Sequence, residues 1–459
     1  MERKLAAQQI TTGVIWKQLL SFFFPILLGT FFQQMYNTVD TIVVGRFVGT
    51  QALAAVGATS ALISLINGFF IGLSTGATVL MSQFFGANDR AGIQKAMHTG
   101  MGLSLVLGIV VTVLGISLCK PILALAGTPE SCLDDALLYT RIYFAGSVFS
   151  MVYNMGSGIL RAMGDSKKPM LFLIAACFTN IVLDLVLVVW LKMGVAGAAA
   201  ATIGSQGVCS ILVVYVLLRL PEDTRLHPGK LRLDSRLMRR ILLVGVPAGL
   251  QFITFDLANL LIQSGINSFG DVTIAAWTAF AKTDALTWMI SGAFGVSITT
   301  FVGQNFGAQK YDRIRKSVWV CMGMAVSLIG LLSTLVVCFR YSILGIYTTD
   351  PTVIRLGGYI MLWTIPFNFL FMPVEVFAGT FRGTGYSLMP AAITCSCVCV
   401  FRVIWIFTVV RMFHRIEMLA VCYPISWFLA DIAFFTAYFR GTWLRKRIQA
   451  CGMEPERRT

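Results

Sequence analysis

Inside long apolar stretches of this chain lie six acids, Asp40, Asp184, Asp256, Asp284, Glu375 and Asp431, and two bases, Lys282 and Arg402. An ionised Asp at the centre of a bilayer costs about 2.5–3.5 kcal/mol on insertion scales, so each of these residues needs a chemical reason. Asp40 and Asp184 stand in the half of the chain whose apolar stretches hold no base. An unpaired buried carboxylate must take a proton, hold a metal cation or meet a cationic ligand. Those are the states through which an ion-coupled exchanger passes. Helical spacing supports a shared site, because Gln33, Asn37 and Asp40 fall at i, i+4 and i+7, and Asn180 and Asp184 at i and i+4. The chemistry expected is binding of H⁺ or Na⁺ at Asp40, Asn180 and Asp184, with Ser60, Ser64, Asn67, Thr75 and Thr78 as a polar stripe nearby.

The second half differs, with four acids and both bases. Lys282 and Asp284 are two positions apart, about 200° around a helix, so they cannot pair with each other. A salt bridge from Lys282 to another span is expected, with Asp256 (near Asn259 and Gln263) or Glu375 (near Asn368) as its partner. Arg402 is expected to be paired rather than substrate-binding, Asp431 has no assigned role, and Glu375 is a candidate to meet a cationic ligand. Aromatic and thioether residues give an adaptable apolar wall. Met35, Tyr36, Phe149, Tyr153, Trp277, Trp288, Phe367 and Met372 are candidates for it.

These residues are positioned by membrane-spanning helices. Of 459 residues, 57% are hydrophobic and 12% charged, and the mean hydropathy is +0.78, which rules out a soluble protein. A span needs about 20 apolar residues whose backbone bonds to itself. Twelve such stretches occur, at 18–45, 52–82, 97–119, 137–160, 169–191, 195–218, 241–268, 272–302, 317–339, 356–380, 388–410 and 418–439. An even count puts both termini on one side. Eight of the 36 Lys and Arg residues lie in one set of loops (Arg46, Lys120, Arg141, Lys192, Arg340, Arg355, Arg411 and Arg415), two lie inside spans, and the other 26 flank the termini and the remaining loops. Positive charge collects on the cytoplasmic side, so both termini are expected there, in the plasma (cytoplasmic) membrane. The net charge of +15 then reports topology rather than nucleic-acid binding. The start, Met-Glu-Arg-Lys, does not read as a removable signal peptide. Eleven scattered cysteines read as packing residues rather than a disulfide framework.

The chain also repeats itself. At a constant offset of 221 residues, Gln83-x-Phe85-Gly86-Ala87 maps onto Gln304-x-Phe306-Gly307-Ala308. Gly158-x-x-Arg161-x-x-Gly164-x4-Pro169 maps likewise onto Gly379-x-x-Arg382-x-x-Gly385-x4-Pro390, and Ala54-Ala55-x-x-Ala58 onto Ala275-Ala276-x-x-Ala279. The halves are an N-lobe at 1–219 (spans 1–6) and a C-lobe at 237–459 (spans 7–12, with a basic cytoplasmic tail), joined by a cytoplasmic linker at 220–236. Six spans per half is even, so the halves are related by an axis along the membrane normal, the geometry of two lobes facing a central cleft. Rocking one lobe against the other suits alternating access.

At these motifs the sequence resembles the multidrug and toxic compound extrusion (MATE) family of efflux antiporters, in its DinF-like branch. The residues carrying the resemblance are Pro25, Val39-Asp40-Thr41, the two repeated motifs with Leu160-Arg161-Ala162-Met163-Gly164-Asp165 and Phe381-Arg382-Gly383-Thr384-Gly385, and Asn180-x-x-x-Asp184. The resemblance implies an all-α membrane protein of twelve helices in two pseudo-symmetric six-helix lobes, exporting organic, often cationic, compounds in exchange for H⁺ or Na⁺. It implies a coupling cluster at Asp40, Asn180, Asp184 and Thr202. Another branch carries C-lobe acids at positions that match Phe255 and Phe371 here, with Asp256 one residue and Glu375 one turn further on.

The expected substrate cleft draws on Gln33, Tyr36, Asn37, Asn67, Tyr153, Asp256, Lys282, Trp288 and Glu375. The partners expected are a small organic molecule and membrane lipid, with no nucleic acid, and the chain is expected to act as a monomer without a cofactor. A flippase for a lipid-linked precursor is the alternative, but it calls for a cationic cleft, and acids inside the spans outnumber bases six to two. A membrane-embedded enzyme finds no nucleophile–base pair at membrane depth. His98, His227 and His414 lie at span ends or in loops, Cys395-x-Cys397-x-Cys399 lacks a His or acid at ligand spacing, and no phosphate-cradling loop is present.

Overall fold

The computed structural model describes residues 10–125, 127–440 and 443–450; the Met-Glu-Arg-Lys start and the tail beyond 450 lie outside the described residues. Among the described residues every regular element is helical. In order these are α1 Ile15–Val43, α2 Thr50–Gly86, α3 Arg90–Leu125, α4 Glu130–Ala145, α5 Ser147–Ala162, α6 Lys167–Asp184, α7 Gly194–Leu218, α8 Ser235–Asn267, α9 Asp271–Gly307, α10 Tyr311–Cys338, α11 Arg340–Tyr347, α12 Pro351–Thr364, α13 Phe371–Gly383, α14 Leu388–Thr394, α15 Phe401–Trp405, α16 Arg411–Phe413, α17 Ile416–Phe439 and α18 Trp443–Ala450. π-helical turns at Val44–Val48, Leu185–Trp190, Cys395–Val400 and Ile406–Val410 extend or interrupt three spans, the last two turns falling in one of them. The two that follow Asp184 and Trp405 sit at positions 221 residues apart.

Among the described residues, eleven helical stretches are long and apolar enough to cross a membrane. The twelfth span, expected at 137–160, is divided between α4 and α5 at Gly146, so neither piece alone is long enough. Its repeat partner, span 10, is divided too: a 3₁₀ segment at Ile365–Leu370, carrying Pro366, separates α12 from α13. A 3₁₀ turn is tighter than an α-helical one and often marks strain or a hinge. Both halves therefore break their fourth helix at the same place.

The repeated motifs are helix stops. After Gly86, Ala87 N donates to Gln83 O at 3.0 Å and Asn88 N to Phe85 O at 3.2 Å; after Gly307, Ala308 N donates to Gln304 O at 2.9 Å and Gln309 N to Phe306 O at 3.1 Å. Left-handed residues recur at the same offset, Asn88 with Gln309, Gly49 with Gly270 and Gly164 with Gly385. Such a residue past a helix end satisfies carbonyls that the helix leaves unbonded, which is why the glycines of the second motif stand where they do.

The chain divides into two compact units, one holding Phe24–Gly249, the other Thr11–Phe23 and the chain from Leu250 onward. The second division thus falls inside span 7, two residues after Pro247, rather than in the linker. Glycine contact explains it. A Cβ on Gly72 would lie 2.2 Å from Gly249 N, and one on Gly76 2.2 Å from Ile241 O. Only backbones without side chains approach this closely in lipid, and they bind the first half of α8 to α2. The core of the first unit gathers Phe70, Met81, Met97, Met151, Met155, Ile159 and Val213 with Ile241. That of the second includes Ile262, Trp277, Phe280, Leu344, Ile360, Met361 and Leu419. The ten described cysteines are free.

The linker is docked on the first unit. His98 Nδ1 meets Gln94 O at 2.7 Å, while His227 N donates to His98 Nε2 at 2.9 Å. Arg90 pairs with Asp223, and Asp234 N donates to Thr99 Oγ1 at 3.4 Å. In the second unit the segment before α1 is held similarly: Lys310 Nζ donates to Thr11 O at 2.9 Å and Arg313 to Gly13 O at 2.8 Å.

Candidate functional site

The first unit holds a buried polar cluster at the ends of α1 and α6. Asp184 immediately precedes one π-helical turn and Asp40 lies one helical turn before another, while Asn180 lies one turn before Asp184. α7 contributes Thr202 and α4 contributes Tyr139. An apolar floor of Val43, Val44, Tyr139, Val188, Val195, Ala198 and Ala199 packs these four elements together.

Burial is nearly complete: Asp184 and Asn180 are 0% exposed, Asp40 and Thr202 7%. Asp40 Oδ1, both carboxylate oxygens of Asp184, and both Nδ2 and Oδ1 of Asn180 are buried without a hydrogen-bond partner. Buried polar atoms are satisfied in the great majority of folded proteins, so five orphaned atoms in one place call for an explanation. The two carboxylates feel each other's charge. Thr202 Oγ1 donates to Ala198 O at 3.1 Å, and the Tyr139 hydroxyl lies within hydrogen-bonding reach of Thr202 and in the field of Asp40. The ion pairs of this unit, Arg90–Asp223, Lys168–Asp165 and Arg225–Glu222, involve neither buried acid.

Chemically this is an oxygen-rich donor set with two carboxyl groups and, among the described residues, no ion-pair partner for either. Carboxylate, amide and hydroxyl oxygens suit a hard cation or a proton, not a soft metal. The residues present fit Na⁺ or H⁺.

The rest of the predicted face of span 1 is arranged differently. Tyr36 is buried and its hydroxyl accepts from Gln206 Nε2 at 3.1 Å, Gln33 is half-buried, and Asn37 is exposed. The buried side of the helix therefore runs through Tyr36, Asp40 and Val44. Asn67 exchanges hydrogen bonds of 2.8 and 3.2 Å with the Tyr143 hydroxyl. Tyr153, buried, donates to Pro169 O at 3.3 Å. Ser60, Thr75 and Thr78 bond to carbonyls of their own helix.

In the second unit the expected bridge to Lys282 is not formed. Lys282 is exposed, and Glu375 pairs instead with Arg382 at 3.1 Å, seven residues along the same helix. The 200° separation explains this: Asp284 faces inward, so Lys282 must face out. Asp256 is half-buried. Arg402, 2% exposed, forms no ion pair among the described residues; its Nε donates to Ser426 Oγ at 2.8 Å and its guanidinium lies 4.1 Å from the Tyr423 ring centroid. Asp431 Oδ1 is buried without a partner. Trp288 donates its indole N–H to Asp284. Tyr139 and Arg382 were missed by the sequence as site residues. The i, i+4 spacing of Asp284 and Trp288 was the legible signal for that pair.

Comparison with known proteins places this geometry. The MatE family model matches residues 25–186 and again 247–408. The chain belongs to the MatE family. The two matches begin at Pro25 and Pro247, so the model recognises each half separately. Members of this family are transporters, not enzymes, and the chain is an integral, multi-pass membrane protein. Among its relatives is the probable multidrug resistance protein YoeA of Bacillus subtilis, 28% identical over 461 residues, covering 97% of this chain and 98% of that one. Among solved structures, one of MATE in the bent conformation superposes with a TM-score of 0.88 at 22% identity, covering 98% of this chain and 99% of that one. An outward-facing multidrug resistance MATE family transporter of the MOP superfamily gives the same score and identity, covering 98% and 100%. The family fold of two six-helix halves is thereby established, the split fourth helix completing the count of twelve.

Proposed function

We propose that this MatE transporter exports small organic compounds, cationic or amphipathic, across the plasma membrane in exchange for H⁺ or Na⁺, with the coupling ion at Asp40, Asn180, Asp184 and Thr202. The observation that carries this reading is the set of five buried, unpartnered polar atoms on Asp40, Asn180 and Asp184, neither carboxylate of which takes part in the ion pairs of this unit. Names of relatives add the direction and the substrate class, since YoeA is described as a probable multidrug resistance protein and a Staphylococcus haemolyticus relative as the multidrug export protein MepA.

In the cycle envisaged, a cation entering from outside neutralises the repelling pair Asp40 and Asp184. Release of that cation inside restores the repulsion, so one site has two electrostatic states that alternating access can use. Both termini face the cytoplasm, and a single chain suffices. The flippase alternative is not favoured, because a pyrophosphate ligand calls for a cationic cleft and the acids counted inside the spans outnumber the bases six to two.

The test is efflux from proteoliposomes in which a pH gradient and a Na⁺ gradient are imposed separately. Efflux of an organic cation driven by either gradient supports the reading. Efflux that is indifferent to both removes ion exchange.

A further inference from the structure

The second unit contains a hydrogen-bonded chain that ion exchange does not use. Asp284 on α9 is 7% exposed. Its Oδ1 accepts from Asn368 Nδ2 and its Oδ2 from Trp288 Nε1, both at 2.8 Å. Asn368 Nδ2 also lies 3.3 Å from Thr287 Oγ1. Asn368 sits in the 3₁₀ segment that breaks span 10, so the break is tied directly to this carboxylate. Arg402 is held by Ser426 and Tyr423 and is not among the hydrogen-bond partners of Asp284.

Trp288 is the outer end of the chain. It is half-buried, with ring centroids 4.7 Å from Phe371 and 6.4 Å from Phe255. An indole on an apolar helix has several rotamers of similar energy, and a hydrogen bond to a charged acceptor selects one of them. The repeat shows that this is a local specialisation. The position equivalent to Trp288 in the first unit is Asn67, which ties α2 to Tyr143 on α4, close to the break at Gly146. Both units thus tie their second helix to their fourth beside the break, but only the second does so with a charge and an indole.

We propose that Asp284 is a positioning residue: anchored by Asn368, it locks the rotamer of Trp288 and so sets the transporter's preference for flat aromatic compounds over compact aliphatic cations. The substrate class rests on the export reading above. The positioning does not.

Two measurements separate these. In proteoliposomes, Asp284→Asn and Trp288→Phe should each raise the KM for ethidium about fivefold relative to that for tetraethylammonium. The double variant should be no worse than Trp288→Phe alone, because residues acting through one contact are not additive. Independently, protein labelled with 5-fluorotryptophan should show a fluorine resonance, identified by its loss in Trp288→Phe, that moves in both Asp284→Asn and Asn368→Ala. If Asp284→Asn does not fold, Asn368→Ala decides, since it leaves both Asp284 and Trp288 in place. An unmoved resonance, additive KM effects, or equal changes for the two substrates would overturn the proposal. Should the wild type export neither compound, the export reading fails while the fluorine spectrum still decides the role of Asp284.

Discussion

Glu375 and Arg382 form a 3.1 Å ion pair across two turns of α13, and Gly295 of α9 is the residue that leaves room for it. A Cβ on Gly295 would come 2.9 Å from Glu375 Oε2 and 3.2 Å from its carboxyl carbon. The equivalent positions in the first unit are Asn154, Arg161 and Ser74, with no acid. The larger residue at 74 accompanies the loss of the pair it would crowd.

Gly295→Ala should therefore lower thermal stability in detergent by about 1–3 kcal/mol, the usual range for overpacking, because the carboxylate must turn away from Arg382. Glu375→Gln in the Gly295→Ala background should lose little more. Additive losses in the melting curves would show that the glycine and the ion pair are independent.

Lys282→Met, by contrast, should leave the melting temperature within error, since Lys282 is exposed and has no ion partner among the described residues. An exposed charge away from structural features usually shifts stability by no more than about 0.5 kcal/mol. A loss comparable to that of Gly295→Ala would mean that Lys282 finds an acid in the membrane after all.

The spans, the repeat and the cluster at Asp40, Asn180 and Asp184 were legible because composition and periodicity carry them directly. What was not legible depended on direction within a helix. Glu375 and Arg382, at i and i+7, lie about 20° short of two full turns on one helix, a spacing outside the usual i+3 and i+4 pairs. For Lys282 and Asp284 the angular argument was already decisive that they face opposite ways, but only packing shows which of the two is buried. Asn37 and Asp40 illustrate the same limit: a polar stripe at i and i+3 is ambiguous until Tyr36, Val43 and Val44 define the inner face. The break of span 4 at Gly146 carries no strong sequence signal, whereas its partner holds Pro366.

The linker offers a test outside the membrane core. His98 accepts from His227 N and meets Gln94 O, holding the linker on α3. His98→Phe keeps the ring but removes both contacts. Limited trypsin digestion should then cut at Arg225 and Lys230 several times faster than in the wild type, with transport of an organic cation retained. Equal cleavage rates would assign the docking to Arg90, Asp223 and Thr99 instead.

Orientation is checked with a single cysteine at Thr224, in the linker expected on the cytoplasmic side. In a background free of other reactive thiols, a membrane-impermeant maleimide should label it only in inverted vesicles. Labelling from outside intact cells would reverse the topology drawn from the positive charges.

The proposed coupling site gives the sharpest test, because its residues differ in kind. In that proposal Asp40 and Asp184 supply the exchangeable charge, whereas Asn180 and Thr202 offer neutral ligands. Asp40→Asn and Asp184→Asn keep side-chain volume, and neither carboxylate is part of an ion pair, so both variants should insert normally. Removing one of two mutually repelling charges should even raise thermal stability slightly. Each should nevertheless abolish gradient-driven efflux, since a site that no longer changes charge cannot be driven by an ion. Asn180→Ala should shift the ion concentration needed for half-maximal efflux by about tenfold, the scale of one lost ligand, while leaving the maximal rate. The measurement is efflux against imposed pH and Na⁺ gradients, with Glu375→Gln as the control outside the site. Wild-type rates in both amide variants, with efflux lost in Glu375→Gln, would move the coupling site to the second unit.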